Sequence, residues 1–268
     1  MGPLLRTGAA ALLFALPMAA RADSPLIAII IDDLGNSRPE GERVVALPGP
    51  VTASFLPHTP FARRLAERAD AAGKEVMLHL PMVADSGSSL GPGGLTEEQS
   101  REQFLEVLRL DLASVPHARG INNHMGSLMT RDAVRMSWLM QELVDYEGIY
   151  FVDSRTTGET VAGPTALRHG VPSTRRDVFL DNDRQPFAIE HQFEALLAIA
   201  RTTGTAVGIA HPRPDTLAML EARLPQLAQQ GIRLVPVSKI IAVQQEQRPN
   251  TWQASLSPSP PVAKSSKP

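Results

Sequence analysis

Residues 26–35 read Leu26-Ile27-Ala28-Ile29-Ile30-Ile31-Asp32-Asp33-Leu34-Gly35: six apolar residues in a row, two adjacent carboxylates, a leucine and a glycine. An unbroken apolar run of this length, dominated by β-branched residues, fits a strand buried on both faces, as in a parallel sheet covered by helices. The pair of aspartates then poses a geometric problem. Successive strand residues point to opposite faces, so two adjacent carboxylates reach one opening only if the strand ends at Asp32 and the chain turns there. Gly35 supplies conformational freedom for such a turn.

Further strands are expected outward from this run at 51–56, 75–80, 120–122, 149–152, 177–180, 205–210 and 232–237. Each is short and mostly β-branched or aromatic. Amphipathic stretches at 61–73, 130–146, 190–202 and 215–230 read as helices, and Thr96-Glu97-Glu98-Gln99 reads as a capping box opening a helix that runs to about Val115. Alternation of strand and helix predicts an α/β fold with seven or eight parallel strands. Periodicity alone is compatible with a closed barrel and with an open doubly wound sheet.

The ends differ from this middle. Residues 1–22 have the layout of a secretory signal peptide, an arginine before an apolar core, with cleavage expected after Ala22. Export to the periplasm or beyond the cell is therefore expected, with no membrane span in the mature chain. Residues 25–243 read as one domain, and 244–268, rich in Pro, Ser and Gln, as a disordered tail. The chain has no cysteine, which removes disulfides, thiolate ligands and a thiol nucleophile. A net charge of -2 with scattered arginines gives no case for nucleic acid as partner. No Gly-x-Ser-x-Gly elbow, P-loop or Gly-x-Gly-x-x-Gly is present, so serine hydrolase, nucleoside triphosphatase and dinucleotide readings have no support.

Polar residues gather behind the strands. Asp32 and Asp33 follow the first, His58 the second, His79 closes the third, and Asn122-Asn123-His124 follows the fourth. Asp153, then Asp181-Asn182-Asp183, then His211 follow the later ones. In a parallel α/β fold these positions share the carboxyl edge, where such folds build their sites. Asp181 and Asp183 are read as turn or cap residues, the commonest use of Asp there. Histidines cap poorly, and several beside carboxylates match a catalytic divalent metal, which takes three protein ligands and keeps one position open. Without cysteine, nitrogen and oxygen donors are the only route to zinc.

Taken together, Asp32-Asp33, His79-Leu80-Pro81-Met82, Asn122-Asn123-His124-Met125-Gly126-Ser127 and His211-Pro212 resemble the divergent polysaccharide deacetylases, over roughly residues 25–240. These are a bacterial branch of the carbohydrate esterase and deacetylase superfamily. The resemblance implies an irregular (β/α) barrel with Asp32 as general base, Asp33, His79 and His124 as metal ligands, and His211 as acid. Asp153 is expected to orient or tune one of these groups. It also implies a divalent metal, Zn2+ first among them, and an N-acetylated carbohydrate of the cell envelope, such as peptidoglycan, as substrate. Two departures stand out: His79 lacks the second histidine of a His-x-x-x-His segment, and no Arg-x-Pro-Tyr motif follows. The alternative is therefore a glycan-binding or scaffold protein that keeps the barrel and the metal without hydrolysis. A paired-carboxylate glycosidase, which needs no metal, is a further alternative.

Overall fold

A computed structural model describes residues 24–247, so the expected signal segment at 1–22 and most of the expected tail lie outside the described residues. The elements are, in chain order, β1 (Leu26–Leu34), α1 (Arg38–Ala46), β2 (Thr52–Phe55), α2 (Ala62–Ala71), β3 (Glu75–Met82) and α3 (Arg101–Ser114). There follow β4 (Ala118–Met125), α4 (Ala133–Val144), β5 (Tyr150–Asp153), α5 (Ala162–His169), β6 (Ser173–Arg175) and β7 (Val178–Phe179). The last are α6 (Pro186–Thr203), β8 (Thr205–Ala210), α7 (Pro214–Arg223), β9 (Arg233–Leu234) and α8 (Val237–Glu246). The strands pair in the order β6-β5-β4-β3-β2-β1-β8-β7, with β9 added beside β1, and every pairing is parallel. This is the cyclic order of a barrel left open at one seam. The seam falls between β6 and β7, which are neighbours in the chain but not in the sheet.

The buried residues divide into two clusters by strand face. Ile27, Ile29, Ile31, Phe55, Leu78, Ile121 and Phe151 pack outward with helix residues such as Leu65, Phe104, Leu139 and Phe193. Leu26, Ala28, Ile30, Met77, Val152, Val207 and Ile209 form the inner cluster, together with Val237, Ile240 and Ile241 of α8. Burial on both faces explains the near-continuous apolar character of β1. Below this inner apolar layer, Glu75 accepts hydrogen bonds from Thr52, from the Tyr150 hydroxyl and from the Ser238 amide. Gly120 belongs to the same layer, because a Cβ there would stand 2.2 Å from the Tyr150 ring.

Two-residue alternation carries each inner row upward: Ala28, Ile30, Asp32 on β1; Met77, His79 on β3; Gly120, Asn122, His124 on β4; Ile209 on β8, then His211 just past its end. The apolar layer is thus succeeded by a polar one at the carboxyl mouth.

Several expected boundaries are corrected. The stretch 232–237 yields a strand of two residues, since Pro236 ends it and α8 begins at Val237. That helix continues through Glu246, so the disordered tail does not begin at Gln244. Helix α3 is capped by Ser100, whose box with Gln103 is complete, rather than by Thr96. Helices α1, α5 and α8 and strand β6 were not anticipated.

Candidate metal centre

The two aspartates reach one opening by a route other than a strand end. Strand β1 continues to Leu34, and between Ile31 and Leu34 it spends three steps where β2 spends two, a β-bulge. Asp33 takes the left-handed conformation, with φ of 60°. The extra residue returns its side chain to the mouth, to which the inner row already delivers Asp32. Gly35 does stand in the following turn, where a Cβ would lie 2.0 Å from the Thr59 hydroxyl.

Three ligand-type atoms converge above this bulge. Asp33 Oδ1 lies 3.2 Å from His79 Nε2 and 3.1 Å from His124 Nδ1, and the two ring nitrogens are 3.0 Å apart. Donors at roughly 2.0–2.2 Å from a tetrahedral ion stand about 3.3–3.5 Å from one another, so this triangle has nearly the size of one face of such a site. Asp33 Oδ1 is buried and has no hydrogen-bond donor that satisfies it. A buried carboxylate oxygen left unsatisfied between two imidazole nitrogens is what a cation would complete, and the nitrogen and oxygen donor set suits zinc and other transition metals. The residues fit a divalent metal.

Asn122 organises the layer beneath. Its amide nitrogen donates to both oxygens of Asp32, at 2.8 and 3.1 Å, which leaves its oxygen to accept from Ser54 Oγ at 2.7 Å and from His79 Nδ1 at 2.9 Å. In the neutral ring the proton is therefore on Nδ1, and His79 Nε2 presents its lone pair to Asp33 and His124.

Charge in this corner is strongly coupled. Burial raises the Asp32 carboxyl above its ordinary range, and the His79 and His211 rings and the Asn122 amide offset only part of that. Burial acts the same way on Asp33, but the His124, His79 and His211 rings around it outweigh burial and hold that carboxyl far below the usual range. Burial opposes charge on His79, yet Asp32 and Asp33 lift it to about 9. One carboxylate is thus held ionised, and the other is poised to take a proton.

His211 stands on the far side, its Nε2 3.6 Å from Asp33 Oδ2. Its Nδ1 lies 2.9 Å from the fully buried Asp181, which also accepts from the His211 amide and the Thr216 hydroxyl. The reading of Asp181 as a mere turn residue is corrected: it orients an imidazole. Asp183 does what was expected, accepting from the Gln185 amide ahead of α6.

Two expected members stand apart. His58 pairs with Asp111 of α3 at 2.8 Å and leaves the mouth. Asp153 follows the inward Val152, so it belongs to the outer row, and its carboxylate accepts from the Arg155 amide and the Thr160 hydroxyl rather than from a site histidine. Sequence reasoning gave Asn122, Ser54 and Arg176 no role of their own at the site and made Asp181 a turn residue. Arg176 lines the site's cleft of about 390 Å³ with Arg155, Phe179, His79, His124 and His211. Counting in twos from the apolar inner row finds Asn122, Ser54 and Asp181; no sequence signal marks Arg176.

The fold and the site together define an α/β-barrel protein of deacetylase type with a histidine-aspartate centre at its carboxyl mouth. The chain belongs to the divergent polysaccharide deacetylase family, which matches residues 29–241. An uncharacterized protein of Haemophilus influenzae is 36% identical over 214 residues, covering 80% of this chain and 76% of its own. Among solved structures, the uncharacterized protein ATU2773 of Agrobacterium tumefaciens superposes with a TM-score of 0.78 at 23% identity, covering 82% of this chain and 91% of that one. The peptidoglycan deacetylase PdaC of Bacillus subtilis shares the fold more loosely, with a TM-score of 0.50 at 13% identity over 88% of this chain and 98% of its own. The family implies a carbohydrate substrate. Among the described residues no helix is long and apolar enough to cross a membrane.

Proposed function

We propose that this protein is an exported, metal-dependent hydrolase that removes N-acetyl groups from a cell-envelope carbohydrate, peptidoglycan or a related glycan, with zinc as its metal. The observation that carries the reading is the unsatisfied Asp33 Oδ1, facing two imidazole nitrogens, next to a second carboxylate, Asp32, whose pKa burial has raised. Asp33, His79 and His124 would hold the ion. Bound there, a divalent metal lowers the pKa of a water from about 16 toward 7 and polarises an acetamide carbonyl. Asp32 takes the proton of the attacking water. His211, fixed through Nδ1 by Asp181, presents Nε2 to the leaving amine and protonates it. The glycan class rests on the family and on the expected signal segment, and a peptidoglycan deacetylase of the same fold is consistent with it.

Asp33→Asn keeps a residue that tolerates left-handed backbone but loses the anionic ligand, so the purified variant should lose its metal in elemental analysis. Asp32→Asn should keep the metal and lose acetate release from N-acetylated oligosaccharides by about 10²–10⁴-fold. A metal-replete Asp32→Asn protein with undiminished acetate release would sink the assignment. The second reading, a glycan-binding scaffold, is favoured by the missing Arg-x-Pro-Tyr motif. It predicts metal and glycan binding by the unaltered protein with no acetate released in the same assay.

A further inference from the structure

The mouth of the barrel holds two guanidinium groups that the reaction above does not use. Arg155 and Arg176 both line the cleft of the metal centre, and neither forms an ion pair among the described residues. Arg176 is half-buried. Its Nε donates to the Ser154 carbonyl at 2.7 Å and its Nη2 to the Arg155 carbonyl at 2.8 Å, and its guanidinium lies 5.1 Å above the Phe179 ring. Phe179 in turn packs 5.3 Å from the ring of His211, so the cation is fixed within one side chain of the acid.

Arg155 is held by its backbone. It takes a left-handed φ of 50°, stabilised by the Asp153 carboxylate that accepts its amide at 2.8 Å. Bulky residues adopt that conformation rarely, and such strain gathers at binding sites. Burial, and then the charge of Arg155, depress the Arg176 pKa. Two like charges lining one cleft, without a contacting carboxylate, are costly unless a ligand anion completes them.

We propose that Arg155 and Arg176 form an anion pocket beside the metal centre, and that the glycan taken by this protein carries a carboxylate on or next to the acetylated sugar. This rests on the deacetylase reading for the site but not for the pocket. Arg176 spends two of its nitrogens on carbonyls, while the Arg155 guanidinium has no hydrogen bond of its own and offers its planar fork, which matches a carboxylate. Asp32, Asp153 and Asp177 lie near enough to temper the field at Arg176, which favours a monoanion over a dianion. A uronic acid and a lactyl ether substituent both supply that chemistry.

The test compares a neutral N-acetylglucosamine disaccharide with disaccharides carrying a uronate or a lactyl ether, on the zinc-loaded full chain. Calorimetric affinity and kcat/KM for acetate release are both measured. The expected result is a preference of about tenfold or more for a carboxylate-bearing sugar, falling toward parity in Arg155→Gln and partly restored in Arg155→Lys. Arg175→Gln, an exposed neighbour outside the site's cleft, should keep the preference. The sugar that gains identifies the source of the carboxylate. Equal handling of neutral and acidic sugars by the unaltered protein overturns the proposal, as does an equal loss of preference in Arg175→Gln. If no sugar releases acetate, the deacetylase reading fails by itself, and the affinities still decide the pocket.

Discussion

Asn122 touches both halves of the proposed chemistry, donating to Asp32, the proposed base, and accepting from His79, a candidate metal ligand. Asn122→Leu would leave His79 Nδ1 and Asp32 unpartnered, and should weaken metal binding by about 10–100-fold, read by competition with a chelator. A second residue-scale expectation concerns Asp111, fully buried under His58. Burial pushes its carboxyl up to about 8. In the unfolded chain the same group ionises near pH 4, so across that window the unfolded state has lost a proton that the folded state keeps, and stability falls as pH rises. The slope contributed is at most about 1.4 kcal/mol per pH unit, and urea midpoints from pH 5 to 9 should flatten in Asp111→Asn. At this scale the strand-end histidines were legible because histidine caps poorly, whereas the grouping of Asp33 with His79 and His124 came from the family resemblance. Strand alternation marks Ser54 and Asp181 only as inward-facing positions, and what they do shows once their partners, Asn122 and His211, are placed beside them.

Among the elements, the strands were readable wherever apolar residues ran continuously, as in β1, β3 and β8. Helices α1 and α5 escaped because Pro39, Gly41, Gly163 and Pro164 read as breakers. Packing overrides that propensity: a Cβ on Gly41 would stand 2.3 Å from a Leu65 methyl, so the glycine lets α2 approach α1. The start of α3 was misplaced because two capping patterns lie four residues apart. Only Ser100 has both halves, its hydroxyl accepting the Gln103 amide while the Gln103 side chain accepts the Ser100 amide. At Thr96 just one half is made, from its amide to Gln99. Ser100→Ala should therefore cost about 1 kcal/mol in urea denaturation, and Thr96→Ala less than about 0.5 kcal/mol.

For the whole molecule, periodicity could not choose between a closed barrel and an open sheet, because both bury the outer face of each strand under helices. The choice is made by the inner face, where Ile240 and Ile241 of α8 join Ala28, Ile30 and Val207. That helix lies far from β1 in the chain, so its place could not be read from local pattern. The site depends on this closure, since Asp32, His79, Asn122 and His211 are the next members of rows whose lower members α8 helps to bury. The seam between β6 and β7 then has a consequence in time rather than in space. Strands β1 to β4 have sheet partners on both sides, whereas β6 and β7 each have one. Deuterium uptake should mark the seam amides first and those of β1 and β3 last, the latter only on global unfolding. Mass spectrometry of peptic fragments would check the order. Early protection of residues 173–179 would mean that the barrel is held shut where its ladder is broken.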